Sequence, residues 1–168
     1  MRHAILLRHA SAGEGDADAL RALTPAGVSE AEESARALAA LRAPFVPTRA
    51  LCSTALRASA TLASLQRALP GLRGVDYCAE LYLGSAEQLL AALRRVADED
   101  ACVLVVAHEP GLSGLVRLLA RGASPEARAR FGAGMRPAAF AAVQLDVRRW
   151  ADVSPGCAWL VDFRRPAT

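Results

Sequence analysis

The sequence predicts a three-layer α/β/α fold, in which a mostly parallel central sheet carries helices on both faces. Three observations lead there. Short continuous apolar runs at residues 4–7 and 101–107 have the length and composition of strands buried on both sides. Stretches with apolar residues at helical spacing lie between the strands. This alternation runs through most of the 168 residues without a linker, repeat or low-complexity block. A single domain covering residues 1–168 is therefore expected, long enough to bury a core without disulfide or metal staples.

Each element has a local reason. Residues 10–23 are small, polar and acidic, which predicts a loop after the first strand. Thr24-Pro25 supplies an N-cap and a proline at the first helical position. The helix they open should reach about residue 41, with Val28, Ala31, Ala35 and Leu38 on its buried face. Residues 50–53 read as a second brief strand, and a helix from about 55 to 69 closes at Pro70-Gly71. Residues 75–77 fit an edge strand. Ser85 and Gln88 form a capping box for a helix whose apolar stripe is Leu89, Leu90, Leu93 and Val96. A helix follows the strand at 101–107, over about 112–120, and a shorter one starts at Ser124-Pro125. The tail predicts a hairpin of 139–145 and 157–163 around Pro155-Gly156.

Composition removes several function classes. With 53 % hydrophobic and 22 % charged residues, the chain is globular rather than disordered. No apolar run approaches the roughly 18 residues of a membrane span. The stretch after Met1-Arg2-His3 is too short for a signal peptide and is cut by Arg8, so a cytoplasmic location without membrane partners is expected. Cys52, Cys78, Cys102 and Cys157 lack the spacing of a metal knuckle or redox pair. All 20 basic residues are arginine, scattered, with a net charge of only +3; no nucleic-acid partner is expected. A monomer is the default.

In open α/β sheets, ligands bind beyond the carboxyl ends of the strands. There the sequence places Arg8-His9-Ala10 after the first strand and His108-Glu109-Pro110-Gly111 after the strand at 101–107. Arg57 follows on the first turn of the helix after residues 50–53. Two arginines and two histidines at one sheet edge suit a tetrahedral oxyanion. Guanidinium forks clamp phosphate oxygens, one imidazole attacks phosphorus, and a second stabilises the transferring charge. A helix N-terminus adds backbone donors.

Competing readings are weaker. A metal site of His9, His108 and Glu109 would place a cation beside two guanidiniums. Ser113 lacks the spacing of a nucleophile elbow. A cysteine phosphatase needs five residues between cysteine and arginine, whereas only four separate Cys52 from Arg57. His3 has no chemical company, and Trp150 and Trp159 read as packing residues.

These residues resemble the histidine phosphatase superfamily, phosphoglycerate mutase-like in fold. Arg8-His9-Ala10 resembles its signature, and Ser53-Thr54-Ala55-Leu56-Arg57-Ala58 with Thr61 its second arginine motif. The stretch from Val105 to Leu112 resembles its second histidine motif, and Leu23-Thr24-Pro25-Ala26-Gly27 its turn before the first helix. Short length, Ala10, Arg21 and Glu80-Leu81-Tyr82 resemble the SixA-type phosphohistidine phosphatases, over residues 5 to about 163.

The resemblance implies that His9 is the phosphorylated nucleophile, that Arg8 and Arg57 bind phosphate, and that His108 stabilises the transferring group. Glu80 stands where many relatives carry a catalytic glutamate, although a solvated loop carboxylate is the alternative reading. Ser53 and Arg21 join the substrate-binding candidates, Arg21 at the rim near Asp16 and Asp18. No cofactor or metal is implied. The implied substrate is a phosphorylated protein such as a histidine phosphotransfer domain, admitted by an open cleft. A small-molecule phosphomonoester phosphatase or mutase on the same scaffold is the first alternative. A non-catalytic phosphate-binding module is the second.

Overall fold

The structure, a computed structural model, describes residues 1–132 and 134–167. Among them the chain forms, in order, β1 (Arg2–Arg8), α1 (Pro25–Ala39), β2 (Arg49–Ser53), α2 (Leu56–Ala68), β3 (Gly74–Cys78), α3 (Ala86–Arg94) and β4 (Cys102–Ala107). There follow α4 (Gly111–Leu119), β5 (Ala120–Ala123), α5 (Pro125–Phe131), β6 (Phe140–Leu145) and β7 (Ala158–Arg164). Single 3-10 turns occupy Asp18–Leu20, Ala79–Leu81 and Trp150–Asp152. The sheet order is β3-β2-β4-β1-β6-β7-β5. Only β6 runs against its two neighbours; the other four pairings are parallel.

The apolar runs become strands with both faces covered. Along β1, Ile5 and Leu7 enter the core shared with α1 and α2, whereas Ala4 and Leu6 enter the core shared with α3 and α4. Each fully buried leucine or isoleucine contributes about 1.5–3 kcal/mol, so truncating one in β1 or β4 is felt across the sheet. Trp150 is fully buried, its indole N–H donating to the Asp100 carbonyl at 2.7 Å; Trp159 is 44 % exposed. No helix among the described residues is long and apolar enough to cross a membrane.

Local signals act as their chemistry predicts. Thr24 Oγ1 accepts the Gly27 N–H at 3.0 Å to cap α1, and both arms of the Ser85–Gln88 box close on α3. Two details differ from the sequence reading. Val28 is exposed, because α1 turns Gly27, Glu30 and Ser34 inward along with its alanines. Those positions are used for anchoring. A Cβ on Gly27 would lie 2.0 Å from the Ser11 carbonyl oxygen, Glu30 accepts from Ser11, and Ser34 donates to the Ala138 carbonyl at 2.6 Å. The second detail is β5, four residues paired to β7, whose Ala-Arg-Gly-Ala sequence carries no strand signal.

The crossovers position the site. The chain leaves β1 for α1 on one face, and leaves the adjacent β4 for α4 on the other. Such a switch point opens a crevice at the carboxyl ends of neighbouring strands. There β2, β4 and β1 end side by side, at Ser53, Ala107 and Arg8.

Candidate active site

The backbone ladder itself sets the two histidines. Arg8 pairs with Ala107, and the His9 N–H donates to the Ala107 carbonyl at 3.1 Å. His9 and His108 therefore leave adjacent strands together, with ring centroids 5.0 Å apart. Arg57, 2 % exposed on the first turn of α2, reaches both. Its Nε lies 3.3 Å from His9 Nε2 and its Nη2 lies 3.4 Å from His108 Nδ1. Below Arg57, Thr61 Oγ1 donates to the Arg57 carbonyl at 2.7 Å and accepts the Ala10 N–H at 3.0 Å. One hydroxyl thus ties α2 to the residue after His9.

Hydrogen bonding assigns the ring protons. His9 Nδ1 lies 2.8 Å from the Ala10 carbonyl oxygen, which only accepts, so Nδ1 carries the hydrogen and Nε2 keeps its lone pair. Arg57 only donates, so His108 Nδ1 accepts. Its Nε2–H then donates to Ser53 Oγ at 2.7 Å. Ser53 Oγ also accepts the Ala55 N–H at 3.2 Å, at the start of α2. Ser53 therefore orients His108.

Burial and surrounding charge favour neutral rings. Burial pushes His9 down to about 4; its bond to the Ala10 carbonyl opposes this, and Arg57, Arg8 and Arg21 add to the depression. Burial, then His9 and Arg57, lower His108 to about 3. Arg8 Nη1 donates to the Met135 carbonyl at 2.9 Å. Arg8 Nε is the one buried side-chain nitrogen or oxygen among the described residues without a hydrogen-bond partner. An anion is what such a donor accommodates, since an unpaired buried N–H costs about 1–3 kcal/mol.

The rim is more exposed. Asp18 Oδ2 meets Arg57 Nη2 at 3.1 Å, its carbonyl accepts from Arg57 Nη1 at 2.8 Å, and Oδ1 accepts from Arg21 at 3.0 Å. The Tyr82 hydroxyl donates to Asp18 Oδ2. The Tyr82 ring stands edge-on to His108, centroids 5.6 Å apart, with the Arg57 guanidinium 5.9 Å from its centre. Arg21 also donates to the Gly13 carbonyl at 2.7 Å, holding the loop that carries Asp18. The Glu80 carboxylate is held by Arg95 of α3's C-terminal end, and it is Tyr82, two residues on, whose ring meets His108.

The structure thus brings together Arg8, His9, Ser53, Arg57 and His108, with Arg21 one contact away through Asp18. Sequence reasoning left the contacts of Asp18 and Tyr82 unassigned. The signal available was slight: an acid three residues before Arg21, and an aromatic beside Glu80. Among the described residues no group of three His, Cys, Asp or Glu is placed to hold a metal ion. Cys52 is buried in β2, which pushes its thiol up to about 12 and leaves it no role as a nucleophile. Glu109 turns to Ser113, accepting from its N–H at 2.9 Å and its hydroxyl at 2.5 Å.

The fold that holds these residues is shared with known proteins. No protein-family model matches the chain. An uncharacterized protein of Mycobacterium tuberculosis is 36 % identical over 167 residues, covering 95 % of this chain and 99 % of its own length. A solved structure from Nakamurella multipartitia, described as a candidate phosphohistidine phosphatase SixA, is 31 % identical with a TM-score of 0.81. It covers 99 % of this chain and 97 % of its own. A protein histidine phosphatase SixA complexed with tungstate is 25 % identical with a TM-score of 0.77, covering 98 % and 97 %. The chain belongs to the histidine phosphatase superfamily, with its phosphoglycerate mutase-like fold. Its enzyme class is phosphatase.

Proposed function

We propose that the protein hydrolyses phosphohistidine, taking the phosphoryl group from a histidine side chain of another protein through a phosphorylated His9. The observation that carries this reading is the His9 ring: Nδ1–H donates to the Ala10 carbonyl, so Nε2 is unprotonated and accepts only from Arg57 Nε, and the His108 ring lies 5.0 Å away. The phosphoryl group lies against Arg8 and Arg57, with its phosphorus facing His9 Nε2. The nitrogen lone pair forms the new N–P bond as the bond to the leaving group breaks. His108, which takes a proton from solvent at Nδ1 as the anionic phosphoryl group binds beside it, donates to the transferring oxygens while its Nε2–H stays on Ser53. Water then attacks the phosphoryl group on His9, releasing phosphate and restoring the neutral ring.

Two features favour a nitrogen leaving group over an alkoxide. An alkoxide needs a proton delivered to it, whereas imidazole, with a pKa of roughly 6.5, leaves with little help. Glu80, the carboxylate that the sequence resemblance offers as a general acid, is held by Arg95. Similarity to SixA-type proteins supports the same choice, and a phosphorylated histidine phosphotransfer domain is the partner class it suggests.

The test is phosphate release from a phosphohistidine-bearing protein and from a small phosphomonoester, side by side, for wild type and His9→Ala. Preference for the phosphohistidine substrate, lost in the variant, is the expected result. Faster turnover of the monoester would overturn the reading in favour of a metabolite phosphatase.

A further inference from the structure

We propose that Asp18 and Tyr82 form the leaving-group subsite, which selects an imidazole carrying its phosphoryl group on one ring nitrogen and a proton on the other. This deepens the phosphohistidine reading and rests on it. The placement follows from burial. His9 and His108, at 8 % and 2 % exposure, form the floor. The Asp18 carboxylate, 44 % exposed, and the half-buried Tyr82 form the outer side above the same Arg57. In-line attack from His9 sends the leaving group away from the floor, toward that outer side.

The chemistry of the pair matches an imidazole. Tyr82 adds a half-buried aromatic ring 5.6 Å from that of His108, suited to a flat aromatic group. Asp18 offers a carboxylate with about four acceptor positions. Arg21 uses one on Oδ1, and Arg57 and Tyr82 use two on Oδ2, so one on Oδ1 is uncommitted. Hydrogen bonds from Tyr82, then Arg21, with Arg57 adding its charge, hold this carboxyl below the usual carboxylate range, so it stays ionised.

The step balances without a general acid. Phosphoimidazole protonated on its free nitrogen binds with that N–H on Asp18. His9 Nε2 forms a bond to phosphorus as the substrate's N–P bond breaks. The electron pair returns to the substrate's ring nitrogen, and the proton on the far nitrogen stays where it is. A neutral imidazole leaves, and His9 becomes the phosphorylated ring with its own far N–H on the Ala10 carbonyl. Donor and acceptor rings are thus held alike, one by a carboxylate and one by a backbone oxygen.

The experiment measures kcat/KM on phosphoimidazole and on phenyl phosphate for wild type, Asp18→Asn and Tyr82→Phe. The ratio of the two substrates should fall at least about 10-fold in Asp18→Asn, the scale of a lost charge-assisted hydrogen bond. In Tyr82→Phe, which frees Asp18 from its hydroxyl tether, it should fall by about 3-fold, a modest change for one rim hydrogen bond. If both substrates change in equal proportion, Asp18 acts only on Arg57 and the subsite is refuted. A wild-type preference for phenyl phosphate would overturn the phosphohistidine reading instead, and a ratio that still falls in Asp18→Asn would uphold the subsite. Wild-type protein inert toward phosphoimidazole would overturn both.

Discussion

The floor and the rim of the pocket face one another across Arg57 but are held by different means. His9, Ser53 and His108 sit at the ends of β1, β2 and β4, all nearly inaccessible, and their rings and hydroxyls are fixed by backbone ladders and one another. Asp18 opens one 3-10 turn with Arg21 at its end and Tyr82 follows another, and the two segments meet through the Tyr82 hydroxyl on the Asp18 carboxylate. A rigid floor suits chemistry that is the same for every phosphoryl donor. A rim of more accessible side chains can differ in what it admits without disturbing that chemistry. The contrast separates rate from selectivity, and substitutions on the two sides should separate them too.

The largest effect is expected at the proposed nucleophile. His9→Ala should lower phosphate release from any substrate by at least about 10³-fold, as loss of a catalytic nucleophile does. Residual release within 10-fold of wild type, measured on purified protein, would mean that the floor is not the reacting surface. Ser53→Ala should follow, lowering kcat by about 10- to 100-fold through an unpaired His108 N–H, which costs about 1–3 kcal/mol. Because Ser53 acts through His108, kcat should fall more than KM rises, on both substrate types alike. Thr61→Val removes the link between Ala10 and Arg57. Leaving the Ala10 N–H without its buried acceptor should cost about 1–3 kcal/mol in urea unfolding, and Thr61→Ser should recover most of it.

Stability should also follow the buried imidazoles. Both rings are depressed in the fold, His9 to about 4 and His108 to about 3, from an ordinary value near 6.5. Between those limits the unfolded chain binds more protons than the folded one. Their contribution is therefore complete above about pH 6.5 and is lost as pH falls toward 4. The urea midpoint should drop over that interval, and drop less in His108→Gln. The smallest effect belongs to Glu80→Gln, which should change kcat by less than about 3-fold and stability by no more than about 1 kcal/mol, the scale of an exposed ion pair.

The same division decided what could be read from the sequence. Arg8-His9, Ser53 to Arg57 and His108 to Gly111 follow apolar runs directly, so the strand ends locate them. The cap at Thr24 and the box at Ser85 are local chemistry and were equally plain. Val28 misled because the buried face of α1 is partly polar, spent on anchoring Ser11 and Ala138. β5 was invisible because its four residues gain their strand form from β7 rather than from their own propensity. Asp18 meets Tyr82 across 64 positions of sequence through side chains alone, which no periodicity encodes.

The most direct measurement is the position of phosphate on the trapped enzyme. The wild-type protein, mixed with phosphohistidine protein and quenched in alkali within the first turnover, should carry acid-labile phosphate on His9. Because the Ala10 carbonyl holds the Nδ1 hydrogen, that phosphate should sit on Nε2, distinguishable by phosphorus NMR from the Nδ1 isomer. Phosphate on Nδ1 or on another residue, or an enzyme that releases phosphate with no label on His9 at any time, would contradict it.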